Sequence, residues 1–332
     1  MSLTTATINR LTVNEKMIKI LKDVFSKVTN TLILPIIGIA IFVALWSITA
    51  KSIHTSLGEF PGPNVVVKQF SVLYDEHITE REKAEAFYDR QDIRNAKKLE
   101  KNPDYVVKIR AYTGKETFLD QIFTSLITVT SGFLVAAFIA IPLGIWMGLS
   151  AKLNSALNPI VQIFKPVSPL AWLPLVTMIV SALYVSDDPL VSKSFITSLI
   201  TVSLCSLWPM VINTSIGVSS INSDLLNVSK VLRLPTFTHI RKIVLPSSIP
   251  MIFTGMRLSF SVAWMVLIAA EMLAQNPGLG KFVWDEFQNG SSDSLARIMA
   301  AVLVIGFIGF LLDRIMLMLQ QKVSWDKSSA SV

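Results

Sequence analysis

Cysteine is almost missing from this 332-residue chain. The single thiol, Cys205, falls in an apolar run, which excludes an internal disulfide and leaves a thiolate metal site without ligands. Histidine is nearly as scarce: His54, His77 and His239 are scattered without ligand spacing and read as surface residues, so no metal site is expected. A phosphate loop is lacking too. Thr113-Gly114-Lys115-Glu116 has neither the upstream glycine nor the following Ser or Thr, which removes any ATP site from the chain. No His, Asp or Cys cluster falls at membrane depth, so no catalytic residue is assigned and the chain is not expected to be an enzyme. No helix repeat relates the first three apolar runs to the last three, which counts against an ion-coupled secondary transporter. Charge is low at 16%.

What the chain has is apolar length. Residues of the apolar classes make up 52% of it, in runs near the ~20 residues that a helix needs to cross a bilayer. The runs cover Leu32 to Ala50, Ile122 to Gly148, Ile163 to Tyr184, Phe195 to Gly217, Pro250 to Ala274 and Ile298 to Gln320. An all-α integral membrane protein with about six crossings is expected. The first run is too long for the apolar part of a signal peptide and reads as an anchored helix, 32–50. It follows a basic segment, 1–31, that contains Arg10, Lys16, Lys19, Lys22 and Lys27. Lys152, Lys165, Lys230, Arg233, Arg241, Lys242, Lys322 and Lys327 lie in the same alternate set of connections, against Lys193, Lys281 and Arg297 in the short loops of the other side. The bias puts both termini and the 219–249 loop in the cytoplasm, with the tail at 321–332. Most of the net charge of +7 then lies on the inner face, where it suits anionic lipid and an acidic or polar partner; no nucleic-acid partner is expected.

The long outer segment, 51–117, opens on Phe60-Pro61-Gly62-Pro63 and continues with helix-spaced apolar residues over Val65 to Tyr74. Asp75 to Lys101, rich in alternating charge and free of Gly and Pro, reads as an exposed, ion-paired helix: a solvated face or a contact for an external partner. In the third run, Pro166, Pro169 and Pro174 remove backbone donors around Trp172, so this helix is expected to kink within protein or beside a pathway. In the fifth run, Arg257, Ser261, Trp264, Ile268 and Glu271 share one helical stripe. Ionisable groups at that depth face protein or water, which makes Arg257, Ser261, Trp264, Glu271 and Trp172 candidate pathway residues; snorkelling of Arg257 is the alternative.

The polar stretch from Ser219 to Pro250 interrupts these runs. Asn222-Ser223-Asp224 caps a helix that breaks at Pro235, and a second short helix, Thr236 to Val244, is expected to end at Pro246. Its close, Ile243-Val244-Leu245-Pro246, resembles the end of the signature of permease subunits in binding-protein-dependent ABC importers: Glu-Ala-Ala, three residues, Gly, nine residues, Ile-x-Leu-Pro. Anchored on Ile243, Leu245 and Pro246, the signature puts its Glu-Ala-Ala at Asn227, Val228 and Ser229 and its Gly at Arg233, four departures from the pattern. Val231-Leu232-Arg233-Leu234, Phe253-Thr254-Gly255-Met256-Arg257, Ala269-Ala270-Glu271-Met272-Leu273, the proline-rich stretch from Lys165 to Pro174 and Gly278-Leu279-Gly280-Lys281-Phe282-Val283-Trp284-Asp285 are similar to the nitrate, bicarbonate and cyanate branch, which shares those departures.

The resemblance covers about Phe118 to Gln320 and implies a type I importer permease fold of six transmembrane helices with a five-helix core at 118–320. It implies a permease homodimer in a bacterial inner membrane, with two cytoplasmic ATPase subunits that hold ATP and Mg and an extracytoplasmic binding protein; no cofactor belongs to this chain. Asn227, Val228, Ser229, Arg233, Leu234, Pro235, Ile243, Leu245 and Pro246 would couple to the ATPases. The implied cargo is a small inorganic anion, nitrate first and nitrite possible, with bicarbonate and aliphatic sulfonate or taurine as alternatives.

Overall fold

A computed structural model describes residues 26, 29–55, 58–185, 191–291 and 293–323, in two compact units, 1–68 and 69–332. The basic start (Arg10 to Lys27) and the tail after Val323, which carry much of the inside-terminus expectation, lie outside the described residues.

In the first unit, helix α1 (Leu34–Ser52) follows a π-helical turn at Thr29–Ile33, with Pro35 in its first turn, where a missing N–H costs nothing. Its apolar side chains stay exposed on every side, Ile36, Ile39, Phe42 and Ile48 among them, as befits a helix solvated by lipid. Two two-residue strands, β1 (His54–Thr55) and β2 (Gly58–Glu59), pair antiparallel beyond it. The Trp46 indole donates to Pro61 O at 3.1 Å.

Helix α2 runs unbroken from Pro63 to Lys101, where the sequence suggested two segments. Proline opens it and no further Gly or Pro interrupts it, so nothing stops propagation. The chain then returns along α2 in extended form. Arg110 N donates to Gln91 Oε1 (2.8 Å), Gln91 Nε2 to Arg110 O (3.2 Å), Asn95 Nδ2 to Lys108 O (3.2 Å) and Tyr112 OH to Glu80 Oε1 (2.7 Å). The Tyr112 bond holds the Glu80 carboxyl below its ordinary range and raises the Tyr112 phenol.

The membrane core of the second unit is α3 (Phe118–Leu149), α6 (Lys193–Ser219) and α9 (Leu245–Ala274), with α6 packed between the other two. Thr117 starts α3 with a reciprocal capping box to Asp120. Gly144 and Gly148 let α3 approach α6 closely: a Cβ at Gly144 would stand 2.6 Å from Thr214 Cβ and one at Gly148 2.5 Å from Val218 Cβ. Between helices that share an apolar solvent, such close backbone packing replaces the hydrophobic drive.

The third crossing departs from expectation. Instead of one kinked helix over Ile163 to Tyr184, α4 (Ala151–Phe164) and α5 (Pro169–Leu183) meet at 99°. Pro166 and Pro169 withhold donors there, and the Ser168 hydroxyl accepts from Leu170 N at 3.3 Å to start the second helix. Five described helices are long and apolar enough to span, or six if this bent pair counts as one. Two short helices, α7 (Ser223–Val231) and α8 (Thr236–His239), lie between α6 and α9; α10 (Leu279–Asn289) and α11 (Ser294–Val323) follow α9. The sequence reading missed α10. Its eleven residues are too short and too mixed in polarity to show among apolar runs.

Candidate coupling segment and intramembrane charges

Asn222 caps α7 by accepting Asp224 N at 2.9 Å. At the other end Leu234 N donates to Ser229 O (3.1 Å) and Arg233 N to Lys230 O (3.1 Å), the two bonds of a Schellman turn. That turn needs a left-handed residue, and Arg233 supplies it at φ 45°. Arg233 is the position at which the resembled signature carries glycine, so the backbone keeps the geometry although the side chain departs. A left-handed non-glycine residue costs about 1–2 kcal/mol. Arg233→Gly is therefore expected to hold or raise the thermal midpoint of the purified protein, and Arg233→Val to lower it; a lower midpoint for the glycine variant would deny the strain.

Pro235 ends the turn, but the helix that follows does not stop at Pro246 as the sequence suggested. Thr236–His239, a π-helical turn at Ile240–Val244 and α9 form one continuous 39-residue span, Thr236–Ala274. Pro246 sits in the first turn of α9, where the π geometry of the preceding residues already leaves bonds open. Ser229 Oγ and His239 Nδ1, 2.8 Å apart, tie α7 to this rod. Val244 is fully buried against Ile145, Val218 and Ile221, which seats the segment on the core.

Of the residues singled out for coupling, Asn227, Val228, Arg233, Pro235 and Pro246 are exposed, Leu234, Ile243 and Leu245 are half-buried and Ser229 is buried. The apolar surface lies beside them. Val231 is 81% exposed, Phe237 74% and Leu232 63%, an apolar patch among Lys230, Arg233, Arg241 and Lys242.

The stripe on α9 is divided among different neighbours. Arg257 forms a bidentate pair with Asp313 of α11, Nε to Oδ1 at 2.6 Å and a terminal N–H to Oδ2 at 3.0 Å. Trp264 donates to Ile305 O at 3.0 Å, also on α11. Ser261 is exposed, and its hydroxyl donates back to Arg257 O. Glu271, fully buried, turns the other way: Ser125 Oγ of α3 lies 2.8 Å from both carboxylate oxygens, and Gly280 N of α10 donates to Oε2 at 3.0 Å. Leu279 N donates to Ser125 Oγ at 2.9 Å, which closes a knot of α3, α9 and the α10 N-terminus. Trp172 belongs to neither group. It packs at the α4–α5 elbow, 5.6 Å from the Phe164 ring, which in turn lies 6.0 Å from Trp208. Asp313 and Ser125 went unnoticed in the sequence; the signal for Asp313 was the pair of charges Asp313-Arg314 inside the last apolar run.

Beside α2 and the start of α3, a cavity of about 700 Å³ is lined by Glu76, Glu80, Glu116, Lys83, Lys115 and Phe282, among others. Burial pushes the Glu116 carboxyl up, and Asp120 adds to the shift. Carboxylates outnumber lysines in this lining, and Glu80, Asp285, Glu76 and Glu286 are ion-paired to Lys83, Lys281 and Arg297. Among the described residues no group of three His, Cys, Asp or Glu is placed to hold a metal ion.

Residues 140–325 match the family described as "binding-protein-dependent transport system inner membrane component". The chain is 37% identical over 203 residues to "Nitrate import permease protein NrtB" of Synechocystis sp., a stretch that covers 61% of this chain and 69% of that protein. It is 32% identical over 291 residues to "Bicarbonate transport system permease protein CmpB" of Synechococcus elongatus, 87% of this chain and 88% of that one. Among solved structures, the inward-facing MetNI methionine ABC transporter shares the fold with a TM-score of 0.54 over 62% of this chain and 95% of its own, at 13% identity. The arrangement of α3 to α11, the turn at Arg233 and these likenesses together make the chain a member of the inner-membrane permease family of binding-protein-dependent ABC importers, in its nitrate and bicarbonate branch.

Proposed function

We propose that this chain is the permease subunit of an ATP-driven importer for a small inorganic anion, with nitrate as the first cargo and bicarbonate as the second. Two copies would work with two cytoplasmic ATPase subunits and an outer binding protein, by alternating access. The observation that carries the coupling role is the patch of Val231, Leu232 and Phe237, exposed on helices pinned to the core by Ser229–His239 and Val244. Exposed apolar side chains among lysine and arginine mark an interaction surface, which supports a protein contact at this segment. The anion assignment rests on the nitrate and bicarbonate permeases to which the chain is similar.

Leu232→Asp and Phe237→Asp test the first part. Each is expected to cut anion uptake and ATPase co-purification at least ten-fold, about the effect of removing one anchor residue from an interface, while the protein still reaches the membrane. Unchanged co-purification with both variants would put docking elsewhere. Uptake of labelled nitrate against excess bicarbonate, and the reverse, separates the two cargoes.

A further inference from the structure

The chain puts a second arginine at the level of Arg257. Arg314, on α11, is exposed, and its guanidinium lies 5.0 Å from the centroid of the Phe310 ring, one turn toward the helix N-terminus. No ion pair to Arg314 is found among the described residues. The neighbouring Asp313 has both oxygens engaged by Arg257. The three side chains therefore form a cluster of net charge +1.

The direction of Arg314 matters. A snorkelling arginine near the inner end of a span reaches outward along the helix toward its nearer end, here Val323. Arg314 leans the other way, over Phe310, and its Cα lies six residues, about 9 Å along the axis, before Gln320, inside the apolar run of α11. A guanidinium cannot face lipid there at acceptable cost; it needs protein or water beside it. Ser261, Arg257 and Asp313 are themselves partly exposed on adjoining faces of α9 and α11, so the polar surface extends beyond one side chain.

We infer that Arg314 is the anion-attracting cation of the translocation path, and that it takes a small planar monovalent oxyanion of the nitrate class on a fork of N–H donors. The inference rests on the proposed function. It gives Arg257, whose charge is spent on Asp313, the role of positioning the helix that carries Arg314. Phe310 holds the guanidinium plane in place.

The test uses the whole complex in cells that lack other nitrate carriers, with membrane levels of the complex measured in parallel. Arg314→Gln is expected to lower the maximal rate of nitrate uptake at least about ten-fold with KM kept, because delivery to the outer face is untouched, and Arg314→Lys to recover part of it. In a Cys205→Ser background, Arg314→Cys should react with a charged, membrane-impermeant thiol reagent added to inside-out vesicles, and nitrate should slow that reaction. This second readout holds even where Arg314→Gln impairs assembly. Full uptake by Arg314→Gln, or an Arg314→Cys thiol that stays unlabelled, would overturn the inference and leave the importer reading intact. Failure of the unaltered complex to import nitrate or bicarbonate would instead overturn the importer reading.

Discussion

Alanine at Arg257 alone is expected to deplete the folded complex, and alanine at both Arg257 and Asp313 to restore most of it. The single substitution strands the Asp313 carboxylate within the apolar run of α11 without the guanidinium that engages both of its oxygens. For a fully buried pair the loss would be ~3–5 kcal/mol, and about a third of each side chain is exposed here, so the effect should fall below that range. Asp313→Ala should cost a comparable amount, since it strands the arginine. The measurement is a double-mutant cycle on the thermal midpoint and membrane level of the complex, with uptake followed in parallel. A double variant no more stable than either single would mean that the pair is not what holds α9 to α11. A double variant that assembles but does not transport would give Arg257 a part in the anion path beyond positioning.

The second large effect is expected at Glu271. Its fully buried carboxylate accepts from Ser125 and Gly280 N, and charge-assisted bonds of this kind contribute ~1.5–3 kcal/mol each. Glu271→Ala removes them and leaves donors of α3 and α10 unpaired, so the ends of α3, α9 and α10 that meet there should loosen and the purified protein should become trypsin-sensitive. Glu271→Gln keeps one acceptor and should lose less. Gly278→Ala offers an independent approach to the same contact, because a Cβ there would stand 2.2 Å from Glu271 Oε1. If the Ala variants at both positions melt like the unaltered protein, the carboxylate has no structural part to play, and a role in gating would be the reading to pursue.

The apolar runs located four of the spans to within about four residues at each end, because length and hydropathy are local properties that a bilayer enforces on every helix separately; the fifth, Thr236–Ala274, begins fourteen residues before its apolar run. Trp172 and its prolines announced a break, but not that the break would turn the chain by 99°; the angle depends on what the freed ends pack against. Periodicity put Arg257 and Glu271 on one stripe, yet their partners come from opposite sides of α9. Asp313 is 56 residues from Arg257 and Ser125 is 146 from Glu271. Such pairings are decided by the order in which helices pack, which no single helix records. The turn at Arg233 shows the converse. There the residue type departs from the signature, and its spacing from Ile243, Leu245 and Pro246 still located a backbone position that only φ could verify.

One further consequence follows from the continuity of Thr236–Ala274. At 1.5 Å per residue the rod is about 58 Å long, and Gly255 stands at its midpoint. There its backbone touches α6 so closely that a Cβ would come within 2.8 Å of Asn213 Cβ. Under the proposed function, a push on Phe237 would reach the Glu271 end through continuous helix, with the π-helical turn at Ile240–Val244 and Pro250 as the places where the rod can bend. Movement at the docking side and at the Glu271 end would then be linked without an intervening loop.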